Sequence, residues 1–298
     1  MIPAVTPLVT RLAPSPTGFL PLGHAYSALA GFTAARDAAD GRFLPRIEDI
    51  DASRCRPEFA AAIHDDLAWL GLAWEQPVRR QSEHFADYAA ALDRLGTLGL
   101  LYPCFCTRQQ IQDEIARSAG APHPAAPASG GEGPPYPGTC RALPRAEAER
   151  RVAAGEAYAL RLDLGRALPV ATASGPLSWV DDNRGSILAA PEPFGDVVLA
   201  RKETPTSYHL AVTLDDALQG VTLVTPGADL FAATHVHRLL QALLDLPVPR
   251  YRHHGLITDA GGRRLAKRDR AATIRSLRQQ GFDAAEVRAM AGFGGLEL

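Results

Sequence analysis

The chain has 298 residues, 46% of them hydrophobic and 21% charged, which suffices for one large or two modest domains and rules out disorder as the main state. With 31 basic and 33 acidic side chains its formal net charge is -2, so no global positive field draws in nucleic acid or an anionic membrane, and any such contact needs a local patch. Four cysteines are too few for a disulfide-stapled scaffold, the opening MIPAVTPLVTRLAPSP lacks a signal-peptide pattern, and no apolar run approaches the ~18 residues of a membrane span, so a cytoplasmic protein is expected.

Leu8, Val9 and Leu12 form a short β-prone run that Pro14-Ser15-Pro16-Thr17-Gly18 breaks. From Gly23 an Ala-rich stretch places Ala25, Ala28, Leu29 and Phe32 at helical spacing until Gly41. Phe43 to Ile47 reads as a second strand that delivers Glu48, Asp49 and Asp51 at its C-terminal end, which makes a βαβ unit with polar residues at its rim. Two helices follow. Pro57 suits a first turn ahead of Phe59, Ile63, Leu67 and Leu70, and Phe85, Tyr88, Leu92 and Leu95 repeat the spacing. Between Ser118 and Cys140, six prolines and five glycines with almost no large apolar residue predict a loop or insertion that cannot build its own core. Tyr158 to Leu164, Val197 to Ala200 and Val221 to Val224 then read as strands, and Phe231 to Leu244 as a helix burying Val236, Leu239, Leu240 and Leu243. This alternation predicts an α/β fold. Arg263 to Arg278 carries seven basic residues against Asp269 alone, and a short helical segment closes the chain.

The turn after the first strand and Pro21-Leu22-Gly23-His24 at the helix start offer backbone N–H groups, a glycine and an imidazole, which suit a nucleotide phosphate. Taken alone, the same residues equally punctuate a βα turn. Only Lys202 and Lys267 are lysine, leaving 29 arginines among the 31 basic side chains, so a surviving lysine points to a place where a compact ammonium is needed.

Longer segments carry a specific resemblance. RLAPSPTGFLPLGHAYSAL followed by GRFLPRIEDID resembles the N-terminal part of glutamyl-tRNA synthetases, class I aminoacyl-tRNA synthetases with an APSPTG loop, a HIGH motif and a RIEDTD segment. SYHLAVTLDDALQGVT, PGADL and RRLAKR resemble that family's amino-acid pocket, the segment after it and its KMSKS loop, so the resemblance covers nearly the whole chain. It implies a Rossmann-like parallel sheet with a small zinc-bearing insertion and a short helical C-terminal part. The expected organisation is a first half of the catalytic domain over 1–100, an insertion over 101–157, a second half over 158–245, and the KMSKS-like loop with the helical part over 246–298. Only about thirty residues follow Lys267, too few for the family's helical anticodon-reading domain. The chain is therefore similar to the truncated paralogues that activate glutamate with ATP and attach it to the queuosine base in the anticodon of tRNA(Asp). A monomer is expected.

The resemblance also implies roles. Arg11, Ala13, Ser15 and Tyr208 fall where the family contacts glutamate, and Glu48 where it holds the substrate α-amino group; Gly23, His24 and Lys267 fall where it holds ATP, His24 and Lys267 being the donors to phosphate. Mg²⁺ accompanies ATP, held chiefly by the nucleotide. Apart from the resemblance, Tyr208 reads as an ordinary strand aromatic. Cys104, Cys106, Tyr136 and Cys140 resemble the family's C-x-C…Y-x-x-x-C site for one structural Zn²⁺, the alternative being three buried free thiols; Cys55 has no partner at such spacing. Three positions depart from the pattern, all as proline. Pro21 replaces the first histidine of HIGH, Pro226 replaces an arginine that binds glutamate's carboxylate, and Pro45 replaces an apolar strand residue, tolerable only where its missing N–H has no partner. A lost charge-assisted bond costs about 1.5–3 kcal/mol, or one to two decades in rate or affinity. Pro21 and Pro226 thus support a rival reading, a catalytically impaired paralogue that binds tRNA or nucleotide without turnover. A third, an unrelated nucleotidyltransferase with an H-x-G-H type loop, leaves the distant IED and cysteine motifs unexplained.

Overall fold

The computed structural model describes residues 7–107, 109–111, 136–255 and 272–296. The chain opens with β1 (Val9–Leu12), α1 (Leu22–Arg36), β2 (Arg42–Ile47), α2 (Pro57–Trp69), β3 (Arg79–Arg80) and α3 (Phe85–Thr97). Then come β4 (Leu101–Cys104), α4 (Arg145–Ala153), β5 (Ala159–Leu162), α5 (Leu164–Ala171), a hairpin of β6 (Ser178–Asp181) and β7 (Gly185–Leu188), and β8 (Val198–Arg201). It ends with α6 (Tyr208–Leu218), β9 (Leu223–Val224), α7 (Phe231–Leu243), β10 (Arg250–Tyr251), α8 (Ile274–Gln279) and α9 (Ala284–Met290).

A seven-stranded sheet runs in the order β3-β2-β1-β9-β10-β6-β7, parallel throughout except for the β6–β7 hairpin. The chain leaves β1 toward β2 and β3, then returns to β9 on the other side of β1. Ligands of open α/β sheets bind at such a reversal, beyond the carboxyl ends of the strands. Helices lie on both faces, α1 on the Thr10 side of β1 and α6 on the Arg11 side; α1, α2, α8 and α9 share a core with Leu12, Phe43 and Ile47 of this sheet, while α3, α5, α6 and α7 share another with Leu162 of β5 and Leu199 of β8. At Gly31, α1 lies so close to the sheet that a Cβ would sit 3.3 Å from Thr225 Oγ1 and 3.5 Å from Thr10 Oγ1, and Thr10 donates to the Gly31 carbonyl at 2.8 Å. A side chain there would push the helix off the switch point.

The predicted strands at Tyr158 to Leu164 and Val197 to Ala200 form as β5 and β8, but in a separate antiparallel sheet, β4-β5-β8. Leu164 already belongs to α5, whose N-cap Asp163 accepts from the Arg166 N–H. Tyr208 requires a correction too. It opens helix α6 rather than lying on a strand, because the Ser207 hydroxyl accepts from the Leu210 N–H at 3.4 Å and caps the turn.

Pro45 meets the condition the sequence set. Arg42 donates to the Leu8 carbonyl and Glu48 to the Pro14 carbonyl, so even-numbered N–H groups of this strand face β1. Position 45 faces the other side, where β3 pairs only with Arg46 and Ile47. No ladder bond is lost although β2 is an inner strand.

Candidate active site

At the reversal, Arg11 donates from Nε and Nη2 to the two carboxylate oxygens of Asp216 at 3.2 and 3.3 Å. Arg46, fully buried in the otherwise apolar run of β2, meets Asp216 at 2.8 Å, Glu48 at 3.3 Å and Asp215 at 3.7 Å, and donates to Gln219 at 2.9 Å. Asp215 also accepts from Arg79, Gln81 and Tyr88. A buried guanidinium is tolerable here because carboxylates surround it. Burial lowers the Arg46 pKa, yet Asp216, Glu48 and Asp215 more than offset that and hold it above its ordinary value. Burial likewise raises Asp216, and Arg11 and Arg46 override it and hold the carboxyl low. Glu48 goes the other way. Burial lifts its pKa and the two arginines offset that only in part, so a cation arriving beside Glu48 would stabilise its charged form.

Tyr208 opens the helix that carries Asp215 and Asp216, and its phenol is raised by burial first and by the nearby Glu48 carboxylate second. Arg11, Glu48 and Tyr208, more than 150 residues apart at the extremes of the sequence, therefore converge. Arg46, Asp215 and Asp216 were not singled out by sequence. Their signal was present: an arginine inside an apolar strand and a double aspartate inside an apolar helix, opposite charges that only burial together could satisfy.

The loop between β1 and α1 borders this cluster. Its Pro14 carbonyl accepts the Glu48 N–H at 3.1 Å, which sets Ala13, partly buried, and Ser15, exposed, beside Glu48 in the backbone. No side chain caps α1 at Pro21, and a Cβ built on Gly23 would meet nothing within 4 Å, so there is open space at this helix start. His24 is partly buried in the first turn. The positive end of a helix favours anions, and here the Leu22 and His24 N–H groups already bond the Ala272 and Pro21 carbonyls, which leaves the helix dipole and the space beside Gly23. Lys267 lies outside the described residues, but both flanks of its segment reach α1. On one side His254 Nε2 is 2.8 Å from Ser27 Oγ; on the other, Leu22 donates to the Ala272 carbonyl at 3.2 Å and Thr273 bridges to Pro21. Pro226, buried just past β9, accepts the His254 N–H on its carbonyl at 3.0 Å.

Two histidines back Tyr208. His209 Nδ1 and His237 Nε2 lie 3.3 Å apart, a distance at which one neutral ring donates to the other. Burial lowers His209 to about 4, and burial followed by His209 takes His237 well below its ordinary value. An unfolded histidine protonates near 6.5 and these do not, so their stabilisation is complete above that pH and is lost as pH falls below it, by about 1.4 kcal/mol per unit per histidine. Glu48, with a raised pKa, acts in the opposite sense only at the acid end. Urea midpoints are expected to fall between pH 7 and 5, and His209→Asn to flatten the slope; an unchanged slope would remove His209 from this account.

At the end of β4, the Sγ atoms of Cys104, Cys106 and Cys140 all lie within 4.8 Å of one another. Cys106 Sγ is 3.5 Å from Tyr136 Oη and 3.4 Å from Cys140 Sγ, and Tyr136 Oη accepts the Cys140 N–H at 2.8 Å. Burial raises the Cys104 thiol, but hydrogen bonds from Tyr136 and Arg161 outweigh it and favour the thiolate; Cys106 is pushed up to about 11, first by burial. Three convergent sulfurs and a phenol oxygen make a donor set that can hold a metal ion. Cys55 stands apart, half-buried and free.

Residues 7–294 match the catalytic-domain model of the class I tRNA synthetases (E and Q). The chain belongs to this class I synthetase family. It is 47% identical over 287 residues to the glutamyl-Q tRNA(Asp) synthetase of Rhodobacter capsulatus, covering 96% of this chain and 100% of that one. It is 43% identical to the protein of the same name from Nitratidesulfovibrio vulgaris, covering 93% and 83%. In three dimensions it resembles a glutamate tRNA ligase from Elizabethkingia meningosepticum in complex with its amino acid, with a TM-score of 0.78 at 24% identity, over 96% of this chain and 60% of that one. Members of this synthetase family are ligases, and the parallel sheet with helices on both faces is the class I fold. Among the described residues, no helix is long and apolar enough to cross a membrane.

Proposed function

We propose that the protein activates L-glutamate with ATP and transfers it to the queuosine base of tRNA(Asp). The observation that carries this reading is the convergence of Arg11, Glu48 and Tyr208 at the switch point, beside the positive end of α1 with no side-chain cap. Glu48, left under-compensated by its arginines, receives the substrate ammonium. Arg11, oriented by both oxygens of Asp216, presents its remaining N–H groups to a carboxylate, with Ala13, Ser15 and Tyr208 closing the pocket. Gly23 leaves room for the ATP phosphates, and His24 and Lys267 donate to them, with Mg²⁺ arriving on the nucleotide. The α-carboxylate attacks the α-phosphorus in line, the new O–P bond forms as the bond to pyrophosphate breaks, and glutamyl-adenylate remains. A nucleophile on the RNA base then attacks the acyl carbon and AMP leaves. Glutamate-dependent exchange of labelled pyrophosphate into ATP without tRNA tests the first step, and labelled glutamate appearing on queuosine-bearing tRNA(Asp) the second.

Pro21 and Pro226 favour one second reading, tRNA or nucleotide binding without turnover, since each removes a polar side chain from the site region. Absent exchange with retained tRNA binding would establish it.

The metal is zinc in this proposal, held by Cys104, Cys106, Cys140 and Tyr136. It supplies a crosslink to an insertion whose helix α4 has no buried residue. One zinc per chain is expected, lost in Cys140→Ser with a lower melting temperature; elemental analysis finding no metal in the unmodified protein overturns the assignment.

A further inference from the structure

Segments far apart in sequence meet on the outer side of the loop between β1 and α1 and form a surface of aromatic rings and arginines. Phe19, from the loop between β1 and α1, and Phe59, from the first turn of α2, stack edge to face with ring centroids 5.1 Å apart. Both rings are only partly buried. The Arg275 guanidinium of α8 lies over Phe19 at 4.7 Å, and that of Arg56 lies over Phe59 at 6.0 Å. The Arg56 N–H bonds the Pro16 carbonyl at 3.0 Å, and the Ile274 N–H bonds the Leu20 carbonyl at 2.9 Å, so both arginines are tied to the same loop that borders Glu48. Arg54 and Arg275 are exposed, and the Arg56 side chain is 67% exposed with only a long, exposed contact to Glu58 at 3.7 Å. Arg278, one turn further along α8, differs: Asp66 neutralises it and it covers Trp69, which makes it a packing residue.

Glu58 lies 3.7 Å from Arg56 and the Asp66 charge reaches Arg275, so the arginines are only partly compensated, and a chain with a net charge of -2 has no general need to cluster them around two half-open aromatic rings. Guanidinium planes and aromatic faces stack unpaired bases, and the free N–H groups of arginine take phosphate; a duplex hides its bases and would leave the rings unused. We propose that Phe19, Phe59, Arg56 and Arg275 form a platform for single-stranded RNA, on which the nucleotides flanking the target base of a tRNA loop stack while that base enters the pocket. The proposal rests on the reading of the pocket as the transfer site and names where that site's RNA substrate docks. It also accounts for how a nearly neutral chain holds a polyanion, through a local patch at the site's edge.

The test measures binding of an anticodon stem-loop RNA to the full chain. Arg56→Glu with Arg275→Glu is expected to weaken binding about tenfold or more and to reduce the slope of log affinity against log salt by about 1.4. Phe59→Ala is expected to weaken it by about tenfold with little change in slope. A control pair on α4, Arg145→Glu with Arg150→Glu, alters net charge equally and leaves binding near the wild-type value. Pyrophosphate exchange without RNA is unaffected by the Arg56/Arg275 change, so that assay tests the activation chemistry separately. The platform is overturned if wild-type protein does not bind the stem-loop, or if the Arg56/Arg275 variant binds within twofold of wild type.

Discussion

Replacing Arg46 by methionine is expected to destabilise the protein by about 3–5 kcal/mol, because it leaves carboxylates buried without their shared cation. Arg46 has no exposed side-chain area, and three carboxylates contact it. Asp216 would keep Arg11, and Asp215 would keep Arg79, but Glu48 would lose its direct ion-pair partner. Methionine fills a similar volume, so the cost is electrostatic rather than a cavity. Thermal or urea unfolding measures it. The second substitution Glu48→Gln, added to Arg46→Met, should recover part of the loss by removing the stranded charge, and the difference between single and double variants gives the coupling. A loss under about 1 kcal/mol in the single variant would show that water, not the protein, satisfies these carboxylates.

Lys267→Ala is expected to lower glutamate-dependent pyrophosphate exchange by roughly 10²–10³-fold, the usual cost of deleting one donor to charge that develops in the transition state. Its unfolding midpoint should match wild type. Lys267→Arg should not restore the rate, because a broad, planar guanidinium does not reproduce a compact ammonium between phosphates. The remaining lysine is the control: Lys202 is exposed, and Lys202→Ala should leave exchange unchanged. Wild-type exchange in Lys267→Ala would remove this residue from the chemistry.

Much of the architecture was legible because its signals are local. The Pro-Gly turn after β1, the Ala-rich α1 and the carboxylates ending β2 announce a parallel βαβ unit within fifty residues. The helical stripes of α2, α3 and α7 were equally clear. What could not be read was partnership. Nothing near Tyr158 or Val197 says that β5 and β8 pair with β4 in a second sheet, since that choice depends on Leu101 to Cys104, far upstream. Tyr208, read apart from the resemblance as a strand aromatic, opens α6 instead, and the decisive signal is the one serine before it. For the site, residue types and spacing picked out Arg11, Glu48 and Tyr208 only with the help of a family resemblance. Arg46 is not marked by its sequence neighbourhood because two of its three carboxylates, Asp215 and Asp216, lie some 170 positions away.

That separation has a consequence for how the chain is made. While the first hundred residues emerge from the ribosome, β1 and β2 are complete, yet Arg46 has only Glu48 of its charge partners until Asp215, Asp216 and Gln219 follow. The N-terminal half therefore carries a solvated guanidinium in the middle of an apolar strand, and docking of α6 is the event that dehydrates it. The same late contact gathers Arg11, Glu48 and Tyr208, so nascent chains stalled before residue 208 carry α1 without this cluster and without the Ala272 and Thr273 backbone that pairs with its start.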